Sequence, residues 1–169
     1  MKERGALEKL FIDTLARYDA LIWRICNGYA TCAVSADDLH QEVLASIWTG
    51  LESFKGASAL STWVYRVAIN SCISYLRFFQ RRTHNPLTSV ATDIPDDNAL
   101  KNSDDAECLN YLMNSLSALD KAVLMLWLDG LSYAKIAEII GLAPNAVGAR
   151  LSRIRSKLKE LWKAEQRSI

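Results

Sequence analysis

Five cations, Arg150, Arg153, Arg155, Lys157 and Lys159, fall within ten consecutive positions of a 169-residue chain whose formal net charge is only +1. Such a cluster suits a polyanion, and the phosphates of a nucleic acid duplex are the polyanion a helix most often meets. On a helical wheel of the stretch "APNAVGARLSRIRSKL", Asn145, Ala149, Ser152 and Ser156 share one face. Their short side chains would let the backbone approach base edges in a major groove. Arg150, Arg153 and Lys157 flank that face on one side and Arg155 on the other, the layout for clamping phosphates across a groove.

Two more faces could do chemistry. From Arg66 to His84 there are four Arg and no acid, and Trp63, Arg66, Asn70, Ser74, Arg77 and Arg81 gather on one side of the helix. An indole, an amide and several guanidinium groups suit single-stranded nucleic acid: bases stack on aromatics, amides read base edges, and cations follow phosphates. A structural role for Trp63, covering the edge of a small core, is the alternative. Upstream, Asp38, Gln41, Glu42, Ala45 and Trp48 stand opposite the apolar stripe of their own helix. An indole among acids and amides anchors a basic protein surface, or else is tucked against a neighbouring helix.

Other chemistries find little support. Cys26, Cys32, Cys72 and Cys108 form no C-x-x-C pair, and with only His40 and His84 available the thiols read as reduced and mostly buried. There is no glycine-rich phosphate loop, and His40 lies on the apolar side of its helix as a structural residue. Neither enzyme chemistry nor a metal or cofactor is expected. No run approaches the roughly 18 apolar residues of a membrane span, so the chain is expected in the cytoplasm.

The elements that must position these faces are helices. Glycine and proline are sparse and apolar residues recur at helical spacing, which predicts an all-α protein. Residues 85–107 carry two Pro and six acids against the single Lys101, and read as an acidic linker between a domain at 1–84 and another at 108–169. Leu7, Phe11, Tyr18, Ile22 and Ile25 predict a long opening helix. "ADDLHQEVLASIWTGLESF" follows Ser35 with acids at its start, and "KGAS" separates it from "ALSTWVYRVAINSCISYLRFFQRR", whose Val64, Tyr65, Ala68, Cys72, Leu76 and Phe79 face inward. Beyond the linker four helices are expected, with breaks near Ser117, Asp129-Gly130 and Gly141. The last two carry a helix-turn-helix spacing: Ala137 where the helices cross, Gly141 at the turn, and Val147 locking the pair. Ser132 is placed as N-cap of the first and Pro144 at the start of the second, with Val147, Leu151, Ile154, Leu158 and Leu161 toward the core.

Three stretches, taken in order, resemble the extracytoplasmic-function (ECF, group IV) sigma factors of bacterial RNA polymerase: "DDLHQEVLASIWTGLESFKG", "STWVYRVAINSCISYLRFFQRR" and "LSALDKAVLMLWLDGLSYAKIAEIIGLAPNAVGARLSRIRSKL". The resemblance implies two helical domains, sigma region 2 and sigma region 4, and directs core polymerase to promoters without catalysis. It implies that Asp38, Gln41, Glu42, Ala45 and Trp48 dock on the clamp helices of the beta-prime subunit. Asn70, with Ser71, Cys72, Ile73 and Ser74, would match a loop capturing a base flipped from the minus-ten element, while Trp63, Arg66, Arg77 and Arg81 contact melted or upstream promoter DNA. Asn145, Ala149, Arg150, Ser152, Arg153, Ser156 and Lys157 would belong to the reader of the minus-thirty-five element, and the rest of region 4 would ride on the beta flap. The linker would thread toward the active-site and RNA-exit channels as a mimic of nucleic acid. An anti-sigma factor or another targeting factor is a further partner class, to which no residue is assigned.

Two positions depart from the resembled pattern. Gly148 stands where many members carry Lys or Arg, and Lys135 stands where Glu would complete a capping box with Ser132. A different reading, a regulator that binds only duplex DNA through residues 132–158, accounts for the C-terminal helices and predicts palindromic sites. It leaves the stripe from Trp63 to Arg81 without a purpose.

Overall fold

A computed structural model describes residues 2–83 and 111–165, with side chains over 5–83 and 111–164. It contains α1 (Lys2–Tyr29), α2 (Ala36–Leu51), α3 (Leu60–Thr83), α4 (Ala118–Leu128), α5 (Tyr133–Ile140) and α6 (Pro144–Glu165). Residues 111–114 are helical as well. The helices form two compact units, α1–α3 and α4–α6. The acidic stretch read as a linker, together with Cys108 and His84, lies outside the described residues.

Serines start three of the helices. The Ser35 hydroxyl accepts the Asp38 backbone N–H at 3.1 Å and donates to the Asp38 carboxylate at 2.8 Å. Ser117 and Asp120 repeat the arrangement at α4 with the same two distances. At α5, Ser132 accepts the Lys135 N–H at 3.3 Å, but the side chain of Lys135 pairs with Glu138 instead of returning to the cap. Each such cap satisfies a donor that the helix end leaves open, worth about 1 kcal/mol.

The first unit buries one face of each helix. Ile22, Ile25, Cys26 and Tyr29 of α1 meet Leu39, Val43, Ile47 and Leu51 of α2 and Val64, Tyr65, Ala68, Ile69 and Cys72 of α3. Cys26 and Cys72 are buried thiols in mutual hydrogen bonding, which together with burial raises the Cys72 thiol well above its ordinary value. Cys32, in the connection after α1, is exposed, the exception to the expected burial among the described cysteines.

One expectation is corrected along α3. The residues from Asn70 to Ser74 are not a loop, because α3 runs unbroken from Leu60 to Thr83. Ile69 and Cys72 are 4% and 0% exposed beneath that segment. Opening a loop there would forfeit their burial, about 1.5–3 kcal/mol for a side chain such as Ile69, along with the helical hydrogen bonds. The unbroken wheel therefore describes the face correctly.

In the second unit the turn between α5 and α6 needs a left-handed residue, and Gly141 supplies it at φ 73°. Its N–H and that of Leu142 both reach the Ala137 carbonyl, at 2.9 and 3.0 Å. This closes α5 and sets the crossing with α6, whose Val147, Leu151 and Ile154 are buried against Ala122, Val123, Leu126 and Ile136.

Candidate nucleic-acid and polymerase interfaces

With Val147, Leu151 and Ile154 turned inward, the opposite face of α6 is fixed outward. Asn145, Ala149, Ser152 and Ser156 are all exposed, so the short-residue face exists as a continuous surface. The cations around it divide differently from the phosphate-clamp expectation. Arg150 is held by Asp120 of α4 at 2.7 Å, with both side chains only about a quarter exposed, at 26% and 25%. Burial alone would raise the Asp120 carboxyl, but hydrogen bonds from Arg150 and Ser117 and the charges of Arg150 and Arg153 outweigh it and hold the group below its ordinary value. The Arg155 guanidinium lies 4.4 Å from the centroid of Trp127, and Lys157 donates to the Ser115 carbonyl. Three of the cations thus contact their own unit, although Arg155 and Lys157 remain exposed, as Arg153 is beside the short-residue face.

Gly148 lies on the edge of that face. A Cβ built there would come within 3.3 Å of Cε2 of Tyr133, so the tyrosine ring of α5 already fills the space beside it. Tyr133 keeps 42% of its surface exposed. The sequence reading passed over this residue, because the contact joins two helices across a turn.

On α3, Arg66, Asn70, Ser74, Arg77 and Arg81 are exposed along one side, and Ser71 is half-buried next to them. Between Arg66 and Arg81 this stripe runs for about 22 Å at 1.5 Å per residue. Trp63 sits at its start but is half-buried: its ring lies 5.1 Å from that of Phe54 and covers Gly50. These contacts are of the core-edge kind, and the ring keeps part of its surface exposed at the start of the stripe. Phe78 was missed. It is 56% exposed, with Arg82 5.3 Å from its ring, and its signal was an aromatic one position outside the inward stripe in an acid-free helix.

On α2, Asp38, Gln41, Glu42 and Ala45 are exposed. Trp48 is not a free indole. It meets Phe11 of α1 edge-on at 5.2 Å and is half-buried. Asp38 is engaged in the cap with Ser35, which leaves Gln41 and Glu42 as the unengaged polar groups of that face. His40 hydrogen-bonds Asp19 at 2.8 Å and stacks on Trp23 at 4.0 Å, a structural link between α1 and α2. Among the described residues no group of three His, Cys, Asp or Glu side chains could hold a metal, and no helix is long and apolar enough to cross a membrane.

Comparison with known proteins decides what these faces belong to. The sigma-70 region 2 family matches residues 14–83, and the sigma-70 region 4 family matches residues 106–158. The chain belongs to the sigma-70 family, among the ECF sigma factors. It is 30% identical to the ECF RNA polymerase sigma-E factor of Haemophilus influenzae, over 94% of each chain, and 29% identical to the RNA polymerase sigma factor YlaC of Bacillus subtilis, over 95% of this chain and 94% of the other. The fold is similar to that of the sigma factor RpoE of Bartonella quintana, solved with the anti-sigma factor NepR. The TM-score is 0.72 at 26% identity, covering 92% of this chain and 98% of that one. As a sigma factor the chain serves promoter-specific initiation by RNA polymerase. Region 2 corresponds to the unit of α1–α3, and region 4 to the unit holding the helix-turn-helix.

Proposed function

We propose that this ECF sigma factor is a group IV member that works in the cytoplasm, without catalysis of its own, by holding core polymerase on duplex and melted promoter DNA together. In region 4, Asn145, Ala149, Ser152 and Ser156 face the minus-thirty-five base edges, with Arg153 on the adjoining phosphates and Arg155 and Lys157 beside them. Arg150 acts from behind, positioning α6 through Asp120. In region 2, Arg66, Asn70, Ser71, Ser74, Arg77 and Arg81 hold the non-template strand at the minus-ten element, with Trp63 supporting the start of that stripe. Gln41, Glu42 and Ala45, with Asp38 and Trp48 fixing their helix, form the docking face for the beta-prime clamp helices, and the remainder of region 4 rides on the beta flap. An anti-sigma factor is the partner that would compete for these faces, as NepR is bound to the sigma factor of similar fold.

One observation carries this reading: an exposed, acid-free stripe containing Asn70 on α3, in the same chain as a duplex-reading helix. A protein that binds only duplex DNA has no use for it. Extruding a base costs a few kcal/mol, which the Asn70 amide and its neighbours must offset through hydrogen bonds and stacking. Run-off transcription with core polymerase from the source organism and genomic promoter fragments tests the proposal. Specific transcripts should depend on this chain, and Asn70→Ala should lower open-complex formation about tenfold or more while leaving core binding intact, because a lost amide contact to an unpaired base is worth about 1–3 kcal/mol. Equal losses in both measurements would remove Asn70 from the DNA.

A further inference from the structure

Lys157 stands on the flank of α6 that also carries Arg150 and Arg153, and two of these three cations reach back to the chain entering α4. Arg150 holds Asp120, and the Lys157 ammonium donates to the backbone carbonyl of Ser115. Ser115 closes the helical residues 111–114: its N–H reaches the Tyr111 carbonyl at 3.0 Å, that of Leu116 reaches Met113 at 3.2 Å, and the chain then straightens into the Ser117 cap. The last carbonyls of a helical turn have no partner within it and attract a cation, so Lys157 acts as a cap supplied by α6. The two fastenings differ in strength. Arg150 and Asp120 are both charged and only 26% and 25% exposed, so parting them would leave a shielded charge without its partner. Lys157 is exposed, and its acceptor is a neutral carbonyl, a weaker partner for an ammonium than an anionic phosphate oxygen. A phosphate laid along this flank therefore draws off Lys157 and leaves Arg150 in place. Lys121 keeps its hydrogen bond to the Asn114 side chain, at 3.1 Å, whichever partner Lys157 takes, but the turn loses its cap.

We propose that Lys157 is a latch that changes partner on the promoter: it ties residues 111–116 to α6 in the free protein and releases them when a phosphate of the duplex takes its ammonium. The proposal rests on α6 being the minus-thirty-five reader. In the sequence, residue 111 follows closely on the acidic stretch that joins region 4 to region 2. Occupancy of the element is thereby passed to the chain that leads back to region 2. The coupling is reciprocal, so whatever holds residues 111–116 against α6 weakens binding to the duplex.

The test is hydrogen exchange of holoenzyme, assembled with the full chain and read at the Ser115 and Leu116 amides. It is compared without DNA and with saturating duplex carrying an intact or a scrambled minus-thirty-five element. In the wild type the intact duplex should speed exchange at these amides roughly fivefold, as for loss of one hydrogen bond, although they lie beside a binding surface. Lys157→Met keeps the aliphatic stem and removes the donor. Its amides should exchange at the faster rate already without DNA and stay there when duplex is added. Across a salt series, the slope of log affinity against log salt should fall by about 0.9 in Lys157→Met, the value for one phosphate contact. Wild-type amides that slow or keep their rate on the intact duplex, or a slope unchanged in Lys157→Met, overturn the latch while α6 remains the reader. A wild-type holoenzyme that binds intact and scrambled elements equally overturns the reading of α6 and the latch with it.

Discussion

Asp120 serves two contacts at once. It completes the cap of α4 with Ser117 and holds Arg150 of α6, so one carboxylate orders both a helix start and the crossing behind the reading face. Its folded pKa lies below the ordinary carboxylate value because those hydrogen bonds and the neighbouring guanidinium charges outweigh burial. A group depressed in this way stabilises the fold fully above its unfolded pKa, and that contribution disappears as pH falls through the folded value. Asp120→Asn should therefore destabilise the α4–α6 unit by about 1–3 kcal/mol near neutrality. The gap from the wild type should close in acid, below the ordinary carboxylate range. Urea unfolding at several pH values, followed through amide signals of α4 and α6, measures it, and a gap independent of pH would show that the carboxylate charge is not what stabilises the unit.

At the scale of elements, the local signals were legible and the contacts between helices were not. Ser132, Pro144 and Gly141 each act within a turn or so of their own position, so the sequence alone placed them, whereas Ser35 and Ser117 were read only as points where a helix begins or breaks. Trp48 and Trp63 read as members of exposed faces, with packing as the alternative, yet Phe11 meets the first edge-on and the second lies against Phe54 and over Gly50. The ion pair of Arg150 was hidden in the same way, because its partner Asp120 lies thirty positions away on α4. Gly50 shows how close such contacts are, since a Cβ there would stand 2.8 Å from Cζ2 of Trp63. Gly50→Ala must move a large ring packed at the start of α3. The expected cost is about 1–3 kcal/mol of stability in the α1–α3 unit, the usual result of overfilling a close contact. A melting temperature unchanged in the Gly50→Ala protein would mean that the indole can move aside freely.

Across the whole molecule, a net charge of +1 conceals separate tasks for its cations. Some make contacts within their own unit, as Arg150 does with Asp120 and Arg155 with Trp127, and others stand exposed on the faces read as nucleic-acid contacts, as Arg77 and Arg153 do. Both kinds contribute equally to a charge count, but only a cation that neutralises a phosphate releases counterions when DNA binds. The salt dependence of promoter binding by holoenzyme can therefore sort them. Arg153→Ala should lower the slope of log affinity against log salt by about 0.9, the value for one lost phosphate contact. Arg150→Ala should leave the slope near the wild-type value and instead reduce stability, because its charge is already matched within region 4. A slope that falls equally for both would mean that Arg150 exchanges Asp120 for phosphate on the promoter, with the ion pair then acting as a resting state for the free protein.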